Sequence, residues 1–221
     1  MRKLKYIAPI LIAIVGFGLQ QAKADTSTSY TLGIGNPGIN GYSSPYGTLN
    51  VTLNTAGTAA TFTFTAATGT GPSGPVQYLF GDGGSIGLNV NGNFSWDGTF
   101  TGVNQPQFNA QFPSFTQSSG NEDGFGSFNF SLDNFDGYQY AFQSLTFTLT
   151  GSWADVNSVL IGNNLGFFAA GHIFVTTDNY QTNTGVTGYA ANGTVPDGGT
   201  TVMLLGAALG ALGMARRFLR S

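Results

Sequence analysis

His172 is the single histidine of the 221 residues, and the chain has no cysteine. One imidazole without thiols does not assemble an ordinary zinc site, which takes four nitrogen, sulfur or carboxylate ligands. A hydrolytic triad would need the fold to bring a hydroxyl and a carboxylate to His172. His172, between Gly171 and Ile173, reads as a structural strand residue. Asp133-Asn134-Phe135-Asp136-Gly137 offers hard oxygen ligands suited to calcium. The regular D-x-D-x-D-G spacing is missing, and Asp-Gly is ordinary turn chemistry. Asp133 and Asp136 are therefore weak calcium candidates, and no metal or cofactor is expected. Asn121-Glu122-Asp123-Gly124 and Asp82-Gly83-Gly84 read as turns for the same reason. Glu122 and Asp123 could act as a glycosidase pair only across a bound sugar, about 5 to 9 Å apart, whereas neighbours in a strand point to opposite faces. Trp96 and Trp153 could stack on sugar rings, but aromatic residues of a sandwich commonly fill its core.

The elements that would position these residues are strands. Gly, Thr, Ser and Asn are abundant, and runs with a period of two recur. Leu49, Val51 and Leu53 alternate with polar residues, as do Phe62 and Phe64, and Asn54 to Gly57 between them predicts a hairpin. Asn91-Gly92 between Leu88-Asn89-Val90 and Phe94-Ser95-Trp96 predicts a second hairpin. Phe128 to Leu132 and Leu145 to Leu149 suggest a third pair, and Gly171 to Thr176 with Val186 to Ala190 look like closing strands. Gln105 to Asn121 reads as a long loop, Ser152 to Ile161 as the place for a short helical turn, and Gly69 to Pro75 as a short linker. The expected class is all-β, an antiparallel β-sandwich of jelly-roll or immunoglobulin-like character.

Both flanks of this body read differently. Arg2, Lys3 and Lys5, then an apolar run from Tyr6 to Gly18, then Ala22-Lys23-Ala24, form a signal peptide over 1–24, with Ala22 and Ala24 supplying the small residues that signal peptidase needs. The body is 25–194. Val195-Pro196-Asp197-Gly198-Gly199 is followed by an apolar stretch over 200–215 and a basic end over 216–221 that holds Arg216, Arg217 and Arg220. At 1.5 Å per residue, a helix over 200–215 covers roughly 24 Å of a ~30 Å hydrocarbon core, a marginal span. The arginines hold the end on the cytoplasmic side and place the body outside.

This tail resembles the C-terminal signals of the PEP-CTERM class of bacterial surface proteins, closest to the VPDSG-CTERM variant. Val195, Pro196, Asp197 and Gly199 match that variant's motif, and Gly198 stands where it has Ser. The resemblance implies export by a Gram-negative bacterium, transient residence in the inner membrane, and processing by a membrane-embedded exosortase. It also implies a final place at the envelope surface or in an exopolysaccharide matrix. Leu132 to Gly137, Leu145 to Thr150, Gly151-Ser152-Trp153 and Gly171 to Val175 are similar, more loosely, to the bodies of other proteins with such tails. That second likeness implies no activity.

Between Asp25 and Val195 there is no Lys or Arg, and nine of the ten acidic residues lie there. Phosphate backbones require cationic groups, so nucleic acid is excluded as a partner. The leading expectation is a non-enzymatic exported surface or matrix protein whose partners are signal peptidase, exosortase and extracellular polysaccharide. The alternatives are a secreted carbohydrate-binding module, which an exposed row of Trp or Tyr would favour, and a secreted hydrolase, which a cleft joining His172 to a carboxylate and a hydroxyl would favour.

Overall fold

The computed structural model describes residues 24–81, 85–104, 114–134, 137–177, 180 and 182–192. Among these the chain is all-β. The strands are β1 (Thr26–Gly35), β2 (Gly47–Leu53), β3 (Ala59–Ala66), β4 (Thr68–Gly71), β5 (Gly74–Phe80), β6 (Ile86–Leu88), β7 (Ser95–Asn104), β8 (Thr116–Glu122), β9 (Gly126–Asp133), β10 (Phe142–Thr150), β11 (Ala169–Thr177) and β12 (Asn183–Asn192). All pairings between them are antiparallel. No helix among the described residues is long and apolar enough to cross a membrane. The apolar helix expected over 200–215 lies outside the described residues.

The β2–β3 hairpin forms where the alternation predicts it. Asn54 Oδ1 accepts the backbone N–H groups of Thr58 and Ala59, at 2.8 and 3.2 Å, which closes the turn. Gly57 takes the left-handed conformation there (φ 72), and a Cβ on it would lie 2.5 Å from the Trp153 carbonyl oxygen. Glycine thus meets both a backbone and a packing requirement.

Strands β7, β10, β3, β2 and β1 form one layer, and β12, β11, β6, β9 and β8 the other. β1 joins the two, pairing with β2 over Thr26 to Leu32 and with β12 over Leu32 to Gly35. β5 joins them again: it pairs with β11 through Val76 to Phe80, and Phe80 also pairs with Phe142 of β10. Inward residues of the first layer stand in cross-strand rows, such as Val51, Phe62, Phe147 and Phe100. Phe147 stacks on Phe62 and on Phe130 of β9, with ring centroids 5.4 Å apart in each case, which locks the layers face to face.

Two expected pairings and one expected linker are corrected. The Asn91-Gly92 turn exists, with Gly92 at φ 76, but it joins no hairpin: β6 pairs with β9 and β11, and β7 pairs with β10. Strands β9 and β10 do not pair with each other; β9 pairs with β6 and β8, and meets β10 across the core. Gly69 to Pro75 is no linker but the tight β4–β5 hairpin, in which Gly71 faces Gly74. The stretch taken as one long loop contains β8 from Thr116. The short helical turn is present as a 3-10 turn at Val156–Ser158, capped by Asp155, whose side chain accepts from the N–H groups of Asn157 and Ser158.

The outer faces of the two layers differ. The β11–β12 side is partly covered by two small apolar clusters, one around Phe125, Phe128, Ala170 and Ala191, the other around Leu79, Ala141 and Phe174. The β1-β2-β3-β10-β7 side carries Ser, Thr and Asn instead.

Candidate functional site

Asn36, the residue after β1, organises a pocket on the β11–β12 side. Its Oδ1 accepts the N–H groups of Gly38 and Tyr189, at 3.2 and 3.1 Å. Its Nδ2 donates to the Asp123 carbonyl oxygen and carboxylate, at 3.3 and 3.4 Å. One amide therefore ties the loop after β1, the β8–β9 turn and β12 together. Gly38 and Gly188 let the backbones approach: a Cβ on Gly38 would stand 2.5 Å from the Thr187 carbonyl oxygen, and one on Gly188 would stand 2.4 Å from Asn36 Oδ1.

These contacts enclose about 500 Å³, with Asp123, His172, Thr187 and Tyr189 in the wall. The size falls in the range of small-molecule sites. The His172 ring stacks on Tyr189 at 4.5 Å and 11°, and on Phe174 at 5.6 Å and 27°. The only imidazole thus sits within an aromatic stack on a strand, as a structural histidine would, while also bordering a pocket that contains a carboxylate. Residue spacing alone could not place Asn36 and Asp123 beside His172. The only sequence signal was the Asp-Gly turn.

Glu122 and Asp123 point apart, as strand geometry predicts. Asp123 is exposed at the pocket, and Glu122 is 1% exposed. Ser131 Oγ lies 3.4 Å from Glu122 Oε1, and Oε2 is buried with no hydrogen-bond partner. Burial pushes the Glu122 carboxyl up to about 8; the Ser131 hydrogen bond lowers it and the Asp133 charge raises it further. The two carboxylates do not face one substrate.

Asp133 accepts a hydrogen bond from Ser118 Oγ at 2.5 Å. Its expected calcium companion Asp136 lies outside the described residues, and no group of three or more metal-ligating side chains occurs among those described. Trp153 is buried, with Nε1 donating to the Asn91 carbonyl oxygen, and Trp96 packs half-buried against the core. Neither forms part of an exposed aromatic row.

Of the sorting residues, Ala24 is exposed immediately before β1, and Ala22 lies outside the described residues. Asp25, the expected first residue after cleavage, accepts from Thr55 N–H and Oγ1, both at 2.9 Å, which fastens that end to the β2–β3 turn. Val195, Pro196, Asp197, Gly198, Gly199, Arg216, Arg217 and Arg220 lie outside the described residues. The last described residue, Asn192, is 3% exposed and accepts the N–H groups of Phe168 and Ala169 on its Oδ1, at 2.9 and 2.8 Å. Just beyond it, the VPDSG-CTERM motif matches residues 194–218.

The chain carries a VPDSG-CTERM motif. Such a motif is typical of the C-terminal sorting tails of exported proteins of Gram-negative bacteria. The VPDSG-CTERM match covers the tail alone and leaves the sandwich unassigned. No curated protein matches the chain, and no solved structure does.

Proposed function

We propose that the protein is a non-enzymatic surface or matrix component, exported through its signal peptide and processed at its tail by an exosortase. It resides at the cell envelope or in an exopolysaccharide matrix. The observation that carries this reading is the VPDSG-CTERM match over residues 194–218. Pro196, Gly198 and Gly199 disfavour regular helix and strand, which suits a segment that an enzyme grips in extended form. The short apolar stretch behind it suffices to halt the chain in the membrane and is a poor permanent anchor.

The pocket beside His172 supports a non-enzymatic body more than a hydrolase. Its carboxylate, Asp123, accepts a hydrogen bond from Asn36 Nδ2, and the imidazole lies in the Tyr189 and Phe174 stack. Intact-mass measurement on protein recovered from the native host tests the proposal. The expected product begins at Asp25 and ends within or next to Val195 to Gly199. Envelope or matrix material that still contains Leu204 to Arg216 would make the tail a simple membrane anchor.

A further inference from the structure

The outer face of the β1-β2-β3-β10-β7 layer is a regular array of short polar side chains. Its side chains stand in cross-strand rows. One row runs Ser29, Asn50, Thr63, Thr146, Thr101, and a second runs Thr31, Thr48, Thr65, Ser144, Val103. A third runs Ser27, Thr52, Thr61, Thr148. No residue in these rows is ionisable. The acidic residue of β7, Asp97, sits at the irregularity in its pairing with β10 and turns its carboxylate to Thr99 N–H and Oγ1, at 2.8 and 2.6 Å.

Hydrogen bonds between side chains hold the rows in place. Thr61 meets Thr148 and Thr63 meets Thr146, each at 3.0 Å. Ser27 meets Thr52 at 2.8 Å, and Asn50 Nδ2 donates to Ser29 Oγ at 3.0 Å. A hydroxyl has one donor and two acceptor positions, so each of these groups keeps capacity for an outside partner while its rotamer is already fixed. Binding then costs little further side-chain ordering. The grid has strands about 4.8 Å apart and side chains about 6.7 Å apart along each strand. Each threonine presents a methyl beside a hydroxyl, and a sugar ring likewise presents C–H beside O–H.

We propose that this face is a docking surface for a neutral, hydroxyl-rich polysaccharide. Charge selects the occupant. The body between Asp25 and Val195 bears carboxylates and no Lys or Arg, so an anionic polymer is repelled. A cationic polymer would settle on the carboxylates, away from these rows. A neutral chain meets neither effect and matches the hydrogen bonding. The inference rests on the extracellular reading above.

Affinity electrophoresis of the mature protein in native gels containing hydroxyethylcellulose, dextran or alginate tests it. Hydroxyethylcellulose or dextran is expected to retard the protein, with the same retardation at about 0.5 M salt, where ionic attraction is screened, and alginate is not. The near-isosteric Thr63→Val with Thr146→Val keeps β-branched residues on the strands and removes two central hydroxyls. It should weaken binding by about tenfold, with the melting temperature checked to show an intact fold. Unaltered mobility in both neutral polymers, stronger retardation by alginate, or undiminished binding by the double valine variant each overturns the proposal. Tail processing is read separately by mass, so either reading can fail while the other stands.

Discussion

At the scale of single residues, Glu122 gives the fold a pH response. A carboxyl held near 8 in the folded state, against 4.5 ordinarily, keeps its proton longer when folded. Its contribution is therefore complete below about pH 4.5, declines as the pH rises, and is gone once the pH passes about 8. The span corresponds to on the order of 5 kcal/mol. No Lys or Arg exists between Asp25 and Val195 to neutralise the charge instead. Urea unfolding at pH 5, 7 and 9 should show stability falling across this window, and Glu122→Gln should flatten the fall; an unchanged slope in that variant would locate the effect elsewhere. Asp133 leads to a second expectation. With its carboxylate bonded to Ser118, calcium should add little stability, because a ligand stabilises only by binding the native state. Melting temperatures with calcium and with chelator should agree, and a rise of several degrees, removed by Asp133→Asn, would reverse this.

At the scale of elements, an aromatic row packs the centre of the sandwich. Phe147 lies between Phe62 and Phe130 and is 2% exposed. Phe147→Ala should cost about 3–5 kcal/mol in urea unfolding, the usual penalty for an unfilled aromatic site. The same element shows what the sequence could and could not tell. The β2–β3 hairpin was legible because Asn54 to Gly57 is a local turn joining runs that pair with each other. β6 with β7 and β9 with β10 look equally like hairpins, since alternation records which face is buried and not which strand lies alongside. Their partners, β11 for β6 and β3 for β10, come from distant parts of the chain. The pocket was hidden for a related reason: Asn36 and Asp123 meet through a fold-wide juxtaposition. The tail was legible because its motif, apolar run and arginines are contiguous.

At the scale of the whole molecule, the distribution of Lys and Arg gives an unusual protease map. Lys23 and Arg216 bracket a stretch without a tryptic site. Trypsin acting on the unprocessed chain in denaturant should leave one large fragment, Ala24 to Arg216, whatever the state of the fold. Mass spectrometry checks this directly, and any internal cut would contradict it. The route by which the body joins its tail has a mechanical side. β12 lies between β1 and β11, and Asn192 at its end is paired with Leu32 and clamped to Phe168 and Ala169. If the tail holds the protein in the membrane as proposed, drag on the body would load β12 from Asn192. Hydrogen bonds to both neighbours then carry the load together in shear, instead of opening one after another as they would along a peeled edge strand.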